Sequence, residues 1–387
     1  MKTPSEAPAS VLILSATAGA GHIRAAEALV EAAATMGRRI TVRHKDILEY
    51  TAPIYRKIYS EAYFAVVNRS PELWGYFYRK AEAGGAAKKR SLLVRAFDHF
   101  NYRKYREDLR RLRPDGVLCT HFLPYAAIAE DMSSPDWRIP FFSVPTDFDA
   151  HALWVSPSVR RFYVANEETS WTLQSHGIPE ERIRVTGIPV MPAFARQGRR
   201  AARREFGVST AAFTIMIASG GYGINVADDL VPGIAGFLAR YPGKEFHLLV
   251  ACGRNEALYE RLARVGAPAN VRVSLFRYVP FVDRLMDCSD VIVTKSGGLT
   301  TAESLAKGLP MIILDPIPGQ EGRNADYVVE HGAGFRPATM TALQFRLRQL
   351  IEDPLLLSGA SANAKALGRP AAARTILNDL LRELRRA

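Results

Sequence analysis

Cysteine is scarce: three residues, Cys119, Cys252 and Cys288, in 387. They are far apart and odd in number, so they make no disulfide framework and match no zinc spacing. A reducing compartment is the reading that follows. Long apolar runs are also missing. No stretch approaches the ~20 residues a membrane-spanning helix needs. The longest early run, Val11–Leu14, is short of the ~7–15 residues of a signal-peptide core, and Glu6 precedes it, so no signal peptide is expected. There is no low-complexity segment and no GxxxxGK[ST] phosphate loop. The protein reads as soluble or peripheral, and outside the phosphate-loop nucleotidases.

What remains is a chain of 48% hydrophobic residues, enough for a packed protein and long enough for two domains. Strand-like runs alternate with helical stretches, the pattern of α/β folds with parallel sheets. The first half offers Val11–Ser15, Ile40–His44, Gly116–Thr120, Phe141–Val144, Arg161–Ala165 and Ile183–Thr186, with a helix over Ala25–Met36. The rhythm restarts with Thr214–Ala218, His247–Ala251, Val271–Leu275, Val291–Thr294 and Met311–Leu314. Between them lie the proline-rich Gly187–Pro192 and the basic Arg196–Arg204, which suit a linker. The expected organisation is a first domain over 1–190, a second over 191–369, and an amphipathic helix over 370–387 returning toward the first.

Residues 50–113 interrupt the rhythm. Nine aromatics fall between Tyr50 and Tyr78, among them Tyr55, Tyr59, Tyr63 and Trp74. The three tyrosines recur every four residues, hence on one helix face. From Lys88 to Arg113 ten Lys/Arg face three Asp/Glu, within a net charge of +12. Tyrosine and tryptophan favour membrane interfaces, and Lys/Arg favour anionic head groups. A helical insertion that packs its aromatics on the first domain is the competing reading, and the two are compatible for different faces.

Several loops sit where chemistry is expected. Ser15–His22 follows a strand with Gly19, Gly21 and then His22. A third glycine at position 24 would make a dinucleotide fingerprint, but Arg24 stands there. The loop therefore presents His22 at the carboxyl edge of a sheet, as a general base or as a residue that only caps its helix. Ser219–Gly223, with Gly220 and Gly221, is a weaker loop of the same kind. Thr294-Lys295-Ser296-Gly297-Gly298-Leu299-Thr300 runs from strand into helix, with Glu303 one turn on. Its free N–H groups suit a diphosphate and Glu303 a ribose, while Thr300-x-x-Glu303 could equally be a capping box. Asp315–Asn324, with Gln320, Glu321 and Asn324, offers donors and acceptors for sugar hydroxyls, or a bare polar turn. Thr146–His151 contains Asp147-x-Asp149, but such a pair arises by chance on the order of once in a chain this long, and no metal site is expected.

Three of these motifs, in this order, resemble one glycosyltransferase family. It contains the monogalactosyldiacylglycerol synthases, the processive diacylglycerol glucosyltransferases and, more distantly, the peptidoglycan transferase acting on lipid I. The resemblance rests most on Thr294–Thr300 with Glu303, then on Pro318-Gly319-Gln320-Glu321 with Asn324. Asp147–Trp154 resembles the family's T-D-x-x-x-H-x-x-W stretch, and Gly187–Val190 its G-I-P-V turn. Tyr278-Val279 falls where the family has an aromatic and an apolar residue against uracil, although Arg277 replaces the preceding glycine.

The resemblance implies a GT-B fold, α/β with two Rossmann-like domains facing a central cleft. It implies an inverting transfer of glucose or galactose from UDP-glucose or UDP-galactose to diacylglycerol or a related lipid, with no cofactor and no metal. Ser296–Thr300 would hold the diphosphate, Glu303 the ribose, and Gln320 and Glu321 the sugar. His22 would be the base, with Asp147 the runner-up or the group that orients it, and Gly21 and His151 would lie on the acceptor side. The expected partners are the donor, the lipid and an anionic membrane surface, with no nucleic acid. The expected place is the cytoplasmic face of the cell membrane, as a peripheral protein. A transferase acting on a polyprenyl-linked or soluble acceptor, an epimerase of the same fold, and a non-catalytic nucleotide-binding module are the alternatives.

Overall fold

A computed structural model describes residues 7–17, 19–52, 56, 101–218 and 229–386. The chain forms two compact units. One comprises 1–192, 317–320 and 371–387; the other comprises 193–316 and 321–370.

The first unit carries β1 (Ala9–Ser15), β2 (Ile40–Asp46), β3 (Gly116–Cys119), β4 (Phe141–Ser143), β5 (Val159–Val164) and β6 (Ile183–Val185). They form one parallel sheet in the order β2-β1-β3-β4-β5-β6. Near-continuous apolar strands are what a parallel sheet covered on both faces requires. Alternate residues serve opposite faces. Leu12, Leu14, Val117 and Phe141 pack one core, while Val11, Ile13, Leu118 and Phe142 pack the other. The second core is closed by the helix Ala20–Ala34 and by the last helix, Ala372–Arg385. Ile376, Leu377, Leu380 and Leu381 of that last helix are buried there, each contributing about 2 kcal/mol. Arg161 of β5 clamps it, its Nη1 lying 2.8 Å from Asp379 and 3.0 Å from Glu383.

The second unit repeats the plan. β7 (Phe213–Ala218), β8 (Phe246–Ala251), β9 (Val271–Phe276), β10 (Val291–Thr294), β11 (Met311–Ile313) and the two-residue β12 (Gly334–Phe335) pair in the parallel order β12-β11-β10-β7-β8-β9. In each sheet the chain starts in the interior, builds outward on one side, then jumps to the other. The jump falls between β1 and β3 in the first sheet and between β7 and β10 in the second. Such a switch point opens a crevice at the carboxyl ends of the strands, where ligands of these folds bind.

One difference from the sequence reading moves a key residue. The helix after β1 begins at Ala20, five residues before the expected Ala25. Gly19 takes φ 131° and ψ 150°, a conformation essentially reserved for glycine, and completes the turn by itself. His22 therefore lies in the first turn of the helix and is fixed by it. Among the described residues no helix is long and apolar enough to cross a membrane.

Candidate active site

In the first unit three strand exits meet around His22. The ring Nδ1 donates to the Thr120 carbonyl at 2.9 Å, and the Thr146 hydroxyl oxygen lies 2.8 Å from the same nitrogen. A carbonyl only accepts, so the proton resides on Nδ1 and Nε2 carries the lone pair. Thr120 returns a bond from its hydroxyl to the His22 carbonyl at 2.8 Å. Burial pushes His22 down to about 4, against the pull of the Thr120 hydrogen bond. The imidazole is thus neutral at physiological pH, with its basic nitrogen defined.

Two more histidines join it. His121 meets His22 edge to face with ring centroids 4.6 Å apart, and His151 lies 6.0 Å from Trp154. Trp154, only 1% exposed, sits within 6.4 Å of all three imidazoles. Its indole N–H is buried without a hydrogen-bond partner among the described residues. His121 and His151 each accept a backbone N–H at Nδ1, from Leu123 at 3.0 Å and Leu153 at 3.2 Å. Beneath the loop, Asp46 at the end of β2 accepts from the Thr17 hydroxyl, from the Thr17 N–H at 3.1 Å and from the Leu48 N–H at 2.9 Å. This carboxylate ties the loop after β1 to β2.

In the second unit the described motif loops follow β9, β10 and β11 at one edge of the sheet. The helix Gly298–Lys307 opens on Gly297 with no side-chain cap and no acidic residue in its first turn. Thr300 lies inside this helix, so the capping-box reading does not hold. The uncapped first-turn N–H groups and the helix dipole make a favourable place for negative charge. Buried hydroxyls of Thr294 and Thr301, before and after the loop, have no hydrogen-bond partner among the described residues. The next motif is zipped to this one. Ser296 Oγ donates to the Glu321 carbonyl at 2.7 Å, and the buried Asn324 amide donates to the Ser296 carbonyl at 2.9 Å. Gln320 and Glu321 open the helix Gln320–Glu330 rather than forming a bare turn.

Tyr278, 50% exposed, follows β9 and has the Arg254 guanidinium 5.4 Å over its ring. Arg277 is drawn aside. It pairs with Glu256 at 2.6 Å and lies 3.8 Å over Tyr259. Three strand spacings separate β9 from β10, about 14 Å. That is a span suited to an extended nucleotide with its base at one end and its phosphates at the other.

Sequence reasoning did not single out Thr120, His121 or Asp46. The available signal was a polar residue directly after a buried strand, at the carboxyl edge. Gly220, Gly221, Tyr55, Tyr59, Tyr63 and Trp74 lie outside the described residues, as does most of the 50–113 segment. Among the described residues no group of three or more His, Cys, Asp or Glu is arranged to hold a metal ion. His151 Nδ1 is already engaged as an acceptor, and Asp149 accepts the Thr172 hydroxyl at 3.1 Å.

Comparison with known proteins gives the arrangement a family. Residues 22–190 match the monogalactosyldiacylglycerol (MGDG) synthase family, and residues 214–375 match the glycosyltransferase family 28 C-terminal domain. The chain is a UDP-sugar-dependent glycosyltransferase. A processive diacylglycerol β-glucosyltransferase of Bacillus pumilus (strain SAFR-032) is 26% identical over 376 residues, covering 96% of this chain and 94% of that one. Its counterpart from Bacillus subtilis (strain 168) is 26% identical over 380 residues, covering 96% and 95%. Among solved structures, Acinetobacter baumannii MurG superposes with a TM-score of 0.63 at 16% identity, covering 97% of this chain and all of that one. The UDP-GlcNAc 2-epimerase of Neisseria meningitidis, bound to UDP-GlcNAc, gives 0.61 at 18%, covering 96% and 100%. Both likenesses are of fold: two six-stranded Rossmann-like domains of the GT-B type. Its second half carries the family 28 C-terminal match, and its substrate is a UDP-sugar.

Proposed function

We propose that this glycosyltransferase moves glucose or galactose from its UDP-sugar to the hydroxyl of diacylglycerol, or of a related membrane lipid, with inversion to a β-glycolipid. What carries the reading is the pairing on one chain of an MGDG synthase match containing the His22 cluster and a family 28 C-terminal match containing the uncapped helix. The relatives named as diacylglycerol β-glucosyltransferases support the acceptor.

In the proposed reaction, Nε2 of His22 takes the proton of the acceptor hydroxyl as its oxygen attacks the anomeric carbon. The bond from that carbon to the phosphate oxygen breaks, and its electron pair leaves with UDP. First-turn N–H groups of the helix Gly298–Lys307 stabilise the charge that grows on the diphosphate. They take the part a metal ion plays elsewhere, and no metal is required. Glu303 binds the ribose, Tyr278 and Val279 the base, and Gln320 and Glu321 the sugar. Asp147 is the runner-up base. The net charge of +12 and the basic, aromatic 50–113 segment support peripheral attachment to an anionic surface at the cytoplasmic face.

The test mixes purified protein with labelled UDP-glucose or UDP-galactose and diacylglycerol in anionic mixed micelles containing EDTA, then separates the lipids by thin-layer chromatography. A labelled glycolipid is expected from one donor. UDP binding without any lipid product would reject the acceptor, and loss of product on adding EDTA would reject the metal-free mechanism.

A further inference from the structure

His121 has no part in the reaction as drawn, yet among the described residues it makes the closest ring contact to the proposed base. It is 4% exposed and boxed in. Phe122 stacks on it at 4.3 Å, Trp154 lies at 6.1 Å, and its Nδ1 accepts the Leu123 N–H. That bond puts its own proton on Nε2 and fixes its tautomer. The segment leaving β3 therefore grips His22 twice. The Thr120 carbonyl takes the Nδ1 proton, and the next residue's ring stands edge to face against the imidazole at 86°.

We infer that His121 is a positioning residue: its buried ring, locked by the Leu123 N–H and the Phe122 stack, holds the His22 imidazole in the orientation that aims Nε2 at the acceptor hydroxyl. The inference rests on the reading of His22 as the base. A ring that hydrogen-bonds only through Nδ1 is free to tilt about that atom, and a second ring packed against it removes the freedom. Neutrality matters as well. Burial and the neighbouring imidazoles of His22 and His151 hold His121 well below the ordinary histidine range, so it does not oppose the charge His22 gains.

Two substitutions separate this role from a merely structural one. His121→Asn keeps an oxygen that accepts the Leu123 N–H, as asparagine does two residues ahead of an amide, but it has no ring. His121→Phe keeps the ring and loses the acceptor. If the ring positions His22, His121→Phe stays within about threefold of the parent kcat although it melts lower, while His121→Asn loses about tenfold or more in kcat, both with a near-unchanged KM for the UDP-sugar. In a His22→Ala background the Asn substitution then costs less than about twofold, because the group it acts through is gone. The reverse order of the two variants, equal losses in both, or full additivity with His22→Ala would each overturn the inference. His22→Ala alone separates the two levels. If it keeps turnover, the base assignment fails and the positioning role with it. If it cuts turnover to a low residual rate while His121→Asn is normal, only the positioning role fails.

Discussion

The depressed basicity of His22 gives a quantitative expectation for activity against pH. An ordinary histidine titrates near 6.5, whereas burial takes His22 to about 4. The profile of kcat/KM reports groups of the free enzyme. At about pH 5, a base titrating near 4 remains about nine-tenths deprotonated, while one titrating near 6.5 is only about 3% deprotonated. The ratio of kcat/KM at about pH 5 to that at about pH 8 thus differs about thirtyfold between the two cases. Initial rates at sub-saturating UDP-sugar, in mixed micelles at constant ionic strength, distinguish them. A flat profile down to about pH 5 is expected. A half-fall between about pH 6 and 7 would refute the claim that the base is a desolvated, neutral His22. Stability follows the same linkage. Between about 6.5 and 4 the unfolded chain binds a proton at His22 that the folded chain does not, so stability drops as pH falls through that window and levels off below it. At about 1.4 kcal/mol for each tenfold change in proton affinity, the loss is at most about 3 kcal/mol, since the side chain keeps some contact with solvent. His22→Asn should lessen that acid sensitivity in thermal melts.

Other substitutions probe what supports the two loops. Asn324→Ala removes the bond to the Ser296 carbonyl and should weaken UDP binding about tenfold and cost about 1–3 kcal/mol, read by titration calorimetry and melting; unchanged UDP affinity would mean the zipped loops do not shape the donor site. Asp46→Ala strands the Thr17 and Leu48 N–H groups and should lower kcat about tenfold while leaving the UDP dissociation constant alone; a loss confined to UDP binding would contradict its place in the first unit. A Cβ at Gly368 would lie 2.3 Å from the Leu305 carbonyl oxygen, inside the helix Gly298–Lys307. Gly368→Ala should therefore destabilise the second unit by about 1–3 kcal/mol, seen as a lower melting transition, and an unshifted transition would show that the helix end yields freely.

Much of the fold was legible because parallel strands buried on both faces read as short apolar runs, and eleven of them stand out between Val11 and Leu314. β12 was not legible, since two residues carry no pattern. The start of the helix at Ala20 escaped for another reason. The tolerance of Gly19 for φ 131° ends the loop at once, and composition does not say which of two nearby glycines makes the turn. The Thr294–Thr300 motif was legible as a strand, two glycines and a helix, yet whether Thr300 and Glu303 formed a cap depended on the helix starting at Gly298.

The chemistry of His22 divides along the same line. Its placement after a strand and a glycine loop is a property of neighbouring residues, and the chain alone specifies it. Its tautomer, its burial and its companions are not local. Thr120 is 98 residues away and Thr146 is 124 away, and they reach His22 because β1, β3 and β4 lie side by side. Periodicity encodes that each run is a strand, since alternation and apolarity are read over a few residues. Strand order depends on crossovers and on which faces pack together. Only the folded sheet therefore decided which side chains surround His22, and with them the nitrogen that carries its proton.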